Sequence, residues 1–370
     1  MDKYITLSPE AKGTFNDRLN FLYLKIGNYL DTENLHNRTL QYCKVFLSDS
    51  KNQIKELQES LLYQEFLKDT NLTIVEQPPL DGSKISLLIK TTDDKTPILF
   101  HSLRLTEEEA KGKDSYEQTR MLFERYLSLI ADTDMTMERN LVRTWIYVTD
   151  IDVNYQGVVE ARNDVFSQQG LTADTHYIAS TGIGGSTSVL NASVAIDFLT
   201  IPDINDENKK YLQALEHLNP THEYGVAFER GTRVTIPVHS VNSDGNQQFK
   251  QQYFISGTAS IDKQGDVVYE GDIVRQTGRL LENIGALLKD GDATMNDIQY
   301  FIIYLRDISD YHTVDRLMQQ FYPQIPRIIV DAKVCRPGWL IEMECIAEKE
   351  SFPAVRASSS TGFEVKPEVF

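Results

Sequence analysis

The segment GDIVRQTGRLLENIGALL, residues 271–288, contains the pattern that decides the fold. Its apolar residues recur at intervals of three and four, which predicts an amphipathic helix. A similar segment, KDSYEQTRMLFERYLSLI, occupies residues 113–130, and both contain a Gln-Thr pair followed by apolar positions at helical spacing. Self-similarity at a fixed offset indicates an internal repeat.

A predicted strand follows each of these helices. The segment IQYFIIYLRDI at 298–308 matches VRTWIYVTDI at 142–151, and a weaker third copy, LQYCKVFLSD, lies at 40–49. Each strand leads into another predicted helix and then into two more strand-like segments. The order helix, strand, helix, strand, strand therefore occurs three times, which predicts an α+β fold built from tandem units.

Polar and charged stretches separate the copies and set the expected boundaries. TTDDK at 91–95 and PDINDENKK at 202–210 are typical of linkers, whereas ASSSTGFEVKPEVF at the end has the composition of a loosely held tail. We therefore expect four segments: a diverged unit at 1–90, a second diverged unit at 91–204, a third unit at 205–350 and a flexible tail at 351–370.

The composition opposes two classes of partner. The 370-residue chain carries 54 acidic and 37 basic residues, a formal net charge of −17. This charge opposes binding to nucleic acid, which needs clustered Lys and Arg, although a locally positive pocket can still bind a small anionic metabolite. Apolar runs stay well short of the roughly 18 residues that a membrane span needs, so we expect no membrane partner.

Cysteine and histidine usage indicates a cytoplasmic protein that needs no metal and no cofactor. The three cysteines, Cys43, Cys335 and Cys345, are a sparse and odd set that favours reduced thiols. The first residues, MDKYITLSPEAKG, lack the apolar segment of a signal peptide. The histidines are scattered, and the GIGG motif at 182–185 lacks the spacing of nucleotide-binding loops.

The segment KVCRPGWLIEMECIAE at 333–348 places two glutamates, Glu342 and Glu344, in an otherwise apolar strand. We interpret it, together with RIIVDA at 327–332, as two antiparallel strands joined by a turn at 336–338. Side chains alternate along a strand, and matching the apolar rows of the two strands requires an even loop. That register places five side chains on one face: Arg327, Lys333, Cys335, Glu342 and Glu344.

This face has two interpretations. A one-sided antiparallel sheet is often simply solvated on its polar face. However, Cys335, Leu340 and Ile346 would make the face mixed, as in a pocket wall. The second repeat also has no counterpart of Glu342 or Arg327. Because the unit can be built without these charges, we interpret the third copy as active and the other two as scaffold.

The third unit resembles the RidA/YjgF family. The resemblance rests on FISGTASIDKQGDVV at 254–268, on the helix at 271–288 and on YLRDISDYHTVDRLMQQF at 304–321. It implies a chorismate-mutase-like unit of the kind that usually assembles as a trimer, with Arg327 holding a substrate carboxylate and Glu342 orienting water. Three tandem units would then form a pseudo-trimer within one chain, as a monomer or within a further homo-oligomer.

A resemblance to the chorismatases covers more of the chain. The matching motifs are RTWIY at 143–147, STGIGG at 180–185, Tyr224 with Phe228 and Arg230, SGTAS at 256–260, and the paired glutamates after VCRP at 334–337. These proteins fuse a RidA-like C-terminal unit to a diverged N-terminal region. The resemblance implies hydrolysis of the enolpyruvyl ether of chorismate to pyruvate and a dihydroxycyclohexadiene carboxylate or a hydroxybenzoate.

A substrate with two carboxylates calls for arginine, which binds a carboxylate through paired hydrogen bonds. Three arginines are candidates for this role: Arg327, Arg230 and Arg143. Arg143, which lies between Val142 and Thr144 on a predicted strand, could equally pair with a surface carboxylate. Tyr224 is expected either to donate a hydrogen bond to substrate or to pack against its neighbours.

Glu342 is the expected general acid, because cleavage of a vinyl ether requires a proton on its methylene carbon. The carboxyl must stay protonated near neutral pH, which requires burial or a neighbouring carboxylate. Glu344 could supply that charge or could pair with Lys333 or an arginine. The resemblance implies that Cys335 and Ala259 bear on the choice of product. A nucleophilic Cys335 is not favoured, since no histidine is placed to activate it.

Two alternatives to a chorismatase stay open. A RidA-type deaminase of enamines or imines needs only the pair of Arg327 and Glu342. A non-catalytic binder of small carboxylates needs only the arginines. All three hypotheses share a small anionic metabolite as the partner.

Overall fold

The computed structural model describes residues 2–10, 12–241 and 247–351. The α-helices in these ranges are α1 (Phe15–Asn34), α2 (Ser50–Glu59), α3 (Glu107–Ala110), α4 (Ser115–Ile130), α5 (Met137–Asn140), α6 (Ile151–Gln168), α7 (Ile273–Asp290) and α8 (Tyr311–Phe321), and a six-residue π-helix (Leu62–Leu67) follows α2. The strands of the first half are β1 (Lys3–Leu7), β2 (Thr39–Leu47), β3 (Asn71–Glu76), β4 (Ile85–Thr92), β5 (Leu99–Leu103), β6 (Leu141–Val148) and β7 (Ala179–Gly184). Those of the second half are β8 (Val194–Thr200), β9 (Lys209–Tyr211), β10 (Gly231–Val241), β11 (Gln247–Ala259), β12 (Ile298–Leu305), β13 (Arg327–Asp331) and β14 (Ile341–Ser351).

The Gln-Thr pair shared by α4 and α7 has the same structural role in both helices. Gln118 accepts a hydrogen bond from the backbone N–H of Ser193, directly before β8, at 2.8 Å. Gln276 accepts one from the N–H of Leu340, directly before β14, at 2.9 Å. Each glutamine is buried and ties its helix to the loop that enters the last strand of its sheet. The repeated pair therefore reflects the fold and not the chemistry of a site.

The described strands form three sheets with a common core order. Sheet one has the order β1-β4-β2-β3, and sheet two has the order β5-β8-β6-β7. Sheet three contains the corresponding order β11-β14-β12-β13 and continues through β10 and β9. In each sheet one pair is parallel, namely β2 with β3, β6 with β7 and β12 with β13. The predicted α+β class is confirmed, with mixed sheets.

One face of each sheet turns toward the other two sheets, and helices cover the opposite faces. The central apolar cluster joins residues of all three sheets, such as Tyr4, Trp145 and Ile302. A second cluster packs α4 and α6 against sheet two, and a third packs α1 and α2 against sheet one. Because a strand between two packed layers is covered on both faces, β4 and β6 are buried at every residue, and β12 is buried at every residue except Gln299.

The predicted hairpin between β13 and β14 is wrong. The strand β12 lies between them, parallel to β13 and antiparallel to β14. The reason is the helix α8 between β12 and β13, because a strand-helix-strand connection brings the second strand back parallel to the first. The segment 332–340 is a loop that crosses from β13 past β12 to β14.

This topology also corrects the predicted face. Phe301 of β12 pairs with Arg327 on one side and with Cys345 on the other, so these three side chains share a face. Tyr304 pairs with Val330 and Glu342, which lie on the opposite, inward face. Arg327 therefore points away from Glu342, toward the helices.

The predicted tail, 351–370, lies outside the described residues except for Ser351, the last residue of β14. None of the helices in the described ranges combines the length and the apolar composition that crossing a membrane requires.

Candidate active site

A cavity lies between sheet two and sheet three, with the loop 332–340 along one wall. Its empty volume is ≈ 580 Å³, counted out to the open solvent at its mouth. The GIGG motif allows the two sheets to approach closely at this point. The N–H of Gly184 donates to the carbonyl oxygen of Lys333 at 2.8 Å, and a Cβ on Gly184 would lie 2.7 Å from that oxygen.

Glu342 lines this cavity from β14 and is 4% exposed. Among the described residues nothing hydrogen-bonds to its carboxyl group, so both oxygens are free to meet a ligand. Burial raises the pKa of Glu342 to about 8, and the negative charge of Glu344 adds to the rise while Arg143 and Arg230 oppose it. A carboxyl group in this state is protonated at neutral pH and can act as a general acid.

Gly257 of β11 makes room for the Glu342 carboxyl. A Cβ at this position would lie 1.9 Å from Oε1 of Glu342 and 3.1 Å from a methyl group of Thr181. The register between the two strands shifts between Ile255 and Thr258, so Gly257 sits at an irregularity of the sheet. The glycine of the SGTAS motif is thus explained by the close approach of a carboxyl group.

Glu344 lies two residues along β14 and does not line the cavity. Its oxygens accept hydrogen bonds from Nη2 of Arg143 at 2.8 Å and from Nε1 of Trp145 at 2.9 Å. The ammonium of Lys44 in sheet one is 4.0 Å away, and burial lowers the pKa of Lys44 to about 8. Glu344 is therefore held by its protein partners, and it acts on Glu342 only through its charge.

Arg143 is buried and has its donors occupied by the protein. Besides Glu344, its guanidinium donates to Oγ1 of Thr181 and to Oγ of Ser256, the latter at 3.2 Å. It lies behind the cavity wall and not in it. The structure therefore does not support substrate binding by Arg143, and the alternative of a surface carboxylate is also wrong, because its partner Glu344 is buried.

Three arginines line the cavity and give it positive charge: Arg162 of α6, Arg230, and Arg336 of the loop 332–340. Arg162 is 1% exposed, and its Nε and Nη2 lack hydrogen-bond partners among the described residues. Burial lowers the pKa of Arg162 and of Arg230. Because an unpaired buried cation is unfavourable, this arrangement favours an anionic ligand.

Arg230 is fixed by the backbone carbonyl of Asn219, to which its Nη2 donates at 3.0 Å. Tyr224 lies between two guanidinium groups, with its ring centre 5.4 Å from Cζ of Arg230 and 4.8 Å from Cζ of Arg336. Burial raises the pKa of the Tyr224 phenol. Tyr224 therefore lines the cavity as a neutral hydroxyl group, and its ring also packs against both arginines.

Cys335 and Ala259 line the same cavity as Glu342. Ala259 is the direct pairing partner of Glu342 across β11 and β14. Burial raises the pKa of the Cys335 thiol to about 12, with a contribution from the charge of Glu342. A thiol in this state is protonated, which agrees with a role in shaping the cavity and opposes a role as nucleophile.

Arg327 and Lys333 lie outside the cavity. Arg327 donates to Oδ1 of Asp315 in α8 at 3.1 Å, on the helical face of sheet three. Lys333 pairs with Asp152 at the start of α6 at 3.2 Å. The expectation that Arg327 shares a pocket with Glu342 is therefore wrong, because β12 separates the two strands.

Sequence reasoning missed Arg162, Arg336 and Tyr155, which all line the cavity. A signal for Arg162 was present, because it lies four residues after Val158 and three before Val165, on the buried face of α6. A charged residue on an apolar helix face is a candidate functional residue. Arg336 carried no such signal, since a turn residue beside Pro337 is expected to face solvent.

One group of potential metal ligands occurs among the described residues, away from this cavity: Glu138, His176 and Asp206. The ammonium of Lys209 is 2.9 Å from Oδ1 of Asp206 and also donates to the carbonyl of Arg139 at 3.0 Å. This lysine already supplies a positive charge to the group.

Sequence comparisons with known proteins identify the family to which this chain belongs. Residues 243–349 match the family described as endoribonuclease L-PSP. A RutC family protein of Pyrococcus abyssi is 33% identical over 99 residues, which cover 26% of this chain and 78% of the relative. The 3-aminoacrylate deaminase RutC of Acinetobacter baylyi is 30% identical over 96 residues, covering 25% of this chain and 76% of the relative. The chain belongs to the RutC family.

A crystal structure of a chorismatase resembles the chain over a larger part. It superimposes with a TM-score of 0.63 at 16% identity and covers 94% of this chain and 98% of the chorismatase. At this identity the likeness shows a shared fold. The predicted resemblance to the chorismatases is confirmed at that level.

Proposed function

We propose that this protein hydrolyses the enolpyruvyl ether of chorismate, as a chorismatase does, to pyruvate and a cyclic or aromatic acid. The observation that carries the proposal is the Glu342 carboxyl, whose pKa burial raises to about 8, in a cavity that also contains the guanidinium of Arg162, whose Nε and Nη2 lack hydrogen-bond partners among the described residues. A proton donor next to fixed positive charge suits an anionic substrate that must be protonated on carbon.

The charges of the cavity match those of chorismate. Its two carboxylates would meet the guanidinium groups of Arg162, Arg230 and Arg336. Arginine suits this role because its planar group donates two parallel hydrogen bonds to one carboxylate. The hydroxyl group of Tyr224 would donate a further hydrogen bond to the substrate.

The reaction begins when Glu342 transfers its proton to the methylene carbon of the enolpyruvyl group. This step forms an oxocarbenium ion, which the newly formed carboxylate of Glu342 stabilises. Water then adds to the cationic carbon and transfers a proton to the Glu342 carboxylate, which restores the carboxylic acid. In the resulting hemiketal the hydroxyl group loses its proton as the ketone of pyruvate forms, the C–O bond to the ring breaks, and the departing ring oxygen takes up a proton to become the ring hydroxyl group. The step needs neither metal nor cofactor.

Cys335 and Ala259 are the proposed determinants of the product. Both line the wall beside Glu342, where the ring of the substrate would lie. Their size and polarity would decide whether the ring leaves as a dihydroxycyclohexadiene carboxylate or proceeds to a hydroxybenzoate.

We further propose that the chain is a pseudo-trimer of three tandem units, bounded at 1–90, 91–204 and 205–350, in a cytoplasmic monomer. The common strand order of the three sheets supports this proposal. Glu342 of β14 pairs with Tyr304 of β12. At the corresponding positions of the other two sheets, Ser86 of β4 pairs with Phe46 of β2, and Ala195 of β8 pairs with Tyr147 of β6. Only the third unit would then provide the general acid.

The experiment that tests the function is incubation of the purified protein with chorismate, followed by measurement of pyruvate. We expect pyruvate release in proportion to enzyme concentration. If the unsubstituted protein releases no pyruvate, the proposed function is wrong.

A second candidate function is deamination of an enamine, favoured by the similarity to the 3-aminoacrylate deaminase of Acinetobacter baylyi. The separation of Arg327 from Glu342 weakens this alternative, because the predicted deaminase site needed both in one pocket. Ammonia release from 3-aminoacrylate without pyruvate release from chorismate would favour it. Saturable binding of chorismate without turnover would instead indicate a non-catalytic binder of carboxylates.

A further inference from the structure

A second cavity lies where the three sheets meet, and we call it the three-sheet cavity. Sheet one contributes Tyr4 and Tyr42, sheet two contributes Phe100 and Trp145, and sheet three contributes Phe254 and Tyr300. Its empty volume is ≈ 540 Å³, including solvent at the mouth. None of the described residues that line it also lines the active-site cavity, so the two spaces are distinct.

Aromatic rings make up much of the wall, and they are tilted against one another. The ring centres of Tyr4 and Tyr300 are 5.2 Å apart, and those of Phe100 and Trp145 are 6.2 Å apart. Tyr42 meets Phe100 edge to face at 5.0 Å. Rings in such arrangements offer both faces and edges to another ring at the distances that aromatic pairs prefer.

Two hydroxyl groups at the wall remain available as hydrogen-bond donors. The hydroxyl groups of Tyr4 and Tyr300 make no hydrogen bond to any residue in the described ranges. Burial raises the pKa of both phenols well above the usual value, so both remain neutral and keep their protons. Two donors without a protein partner at one cavity favour a ligand with an acceptor atom.

The charge near the cavity is already balanced. The ammonium of Lys90 lines the wall and is 2.6 Å from Oδ2 of Asp2. The side-chain amide of Gln252 also donates to Oδ2 of Asp2 at 2.6 Å. An anionic ligand would have to compete with Asp2 for Lys90, and a cationic ligand would meet Lys90 itself. The wall therefore favours a neutral ligand.

We propose that the three-sheet cavity binds a small, neutral, planar aromatic molecule that carries a hydrogen-bond acceptor, such as an aryl amide. The ring would stack against the aromatic wall, and the acceptor would receive hydrogen bonds from Tyr4 and Tyr300. A ligand in this position would touch Trp145, the residue that donates to Glu344. The inference concerns binding alone and stands apart from the proposed hydrolysis.

The two tryptophans of the chain, Trp145 and Trp339, make the inference testable, because each lines one of the two cavities. Benzamide is titrated against the Trp339→Phe variant, in which fluorescence comes from Trp145, and against Trp145→Phe, in which it comes from Trp339. We expect a saturable change in the first variant and none in the second. A change confined to the second variant would place benzamide in the active-site cavity and overturn the inference.

Calorimetry on the unsubstituted protein keeps the test independent of either tryptophan variant. We expect benzamide to bind the unsubstituted protein. The substitution Leu199→Phe should abolish this binding, because the larger side chain fills part of the cavity. Removing each hydroxyl group by Tyr4→Phe or Tyr300→Phe should weaken benzamide binding about threefold to tenfold and leave toluene, which has no acceptor, unaffected. Absence of benzamide binding to the unsubstituted protein would refute the proposal.

Discussion

The Glu342 carboxyl combines burial with a neighbouring negative charge, and both favour its protonated form. If it donates the proton to carbon, activity requires that form. We expect kcat/KM for chorismate to stay level from neutral pH to about 8 and then to fall about tenfold per pH unit. A pH-rate profile measures this. A rate that rises through pH 8 would show that the ionised carboxyl is the active form.

A substitution of Glu344 tests why the pH-rate profile should reach its midpoint at about pH 8. Glu344→Gln removes the negative charge beside Glu342, so the midpoint of the pH-rate profile should move to lower pH. Asp197→Asn is the matched control, because Asp197 is also buried and has the corresponding place in its sheet. Asp197 of β8 pairs with Trp145 of β6, as Glu344 of β14 pairs with Ile302 of β12. The control should leave the midpoint in place, and an equal shift in both variants would contradict the assigned coupling.

Glu342 should also make stability depend on pH. Its pKa is near 4.5 in the unfolded chain and about 8 in the folded protein, so the folded state binds more protons between these values. Stability is therefore greatest below pH 4.5 for this group and falls as pH rises to about 8. Glu342→Gln does not titrate, and we expect its free energy of unfolding to exceed that of the unsubstituted protein by an amount that grows over this interval.

The size of that difference is on the order of 3 kcal/mol near pH 7, which lies about 2.5 units above the pKa in the unfolded chain, since one pKa unit corresponds to about 1.4 kcal/mol. Denaturant unfolding of both proteins at several pH values measures it. A gap that is constant with pH would show that Glu342 is not the titrating group.

The residue scale also shows what a sequence can and cannot reveal. Glu342 was found because a carboxylate in an apolar strand is conspicuous. Arg162 was overlooked although it breaks the apolar face of α6 in the same manner. Arg143 was one of three candidates for binding substrate, and its true partner Glu344 lies 201 positions away, a separation that no local pattern encodes.

At the scale of elements, the irregular strand β11 positions the site. Gly257→Ala would place a methyl group against the Glu342 carboxyl, which must then move. We expect activity to fall at least about 100-fold and stability to fall by about 1–3 kcal/mol. Kinetic assays and denaturant unfolding measure both effects.

Gly278→Ala in α7 is the control for this substitution, because a Cβ there meets no described atom within 4 Å. An alanine in a helix stabilises by up to about 1 kcal/mol relative to glycine, and activity should be unchanged. If Gly257→Ala behaved like this control, the close contact with Glu342 would not be a determinant of the site.

The order of the helices and strands is predictable from the sequence, but the predicted pairing of β13 with β14 is wrong. A short turn-like segment at 336–338 suggested a hairpin, and sequential strands often do pair. The helix α8 was the stronger signal, because it makes β12 and β13 a parallel pair and leaves β14 to join the other side of β12. Cys335 nevertheless lies beside Glu342, since the crossing loop carries it back to the cavity.

At the scale of the whole molecule, three sheets face one another within one chain, and their central core is already buried. A protein that completes this packing internally has no need of partner subunits. We therefore expect sedimentation equilibrium to give the mass of one chain, 42.3 kDa. Three times that mass would contradict a pseudo-trimeric monomer.

In the proposed mechanism Glu342 supplies the proton that starts hydrolysis. The most direct test compares pyruvate release from chorismate by the unsubstituted protein and by Glu342→Gln, which keeps the shape of the side chain but cannot donate this proton. We predict that the variant remains folded and still binds chorismate, and that kcat falls by about 100-fold or more. Release of pyruvate at an unchanged rate by Glu342→Gln would contradict the account.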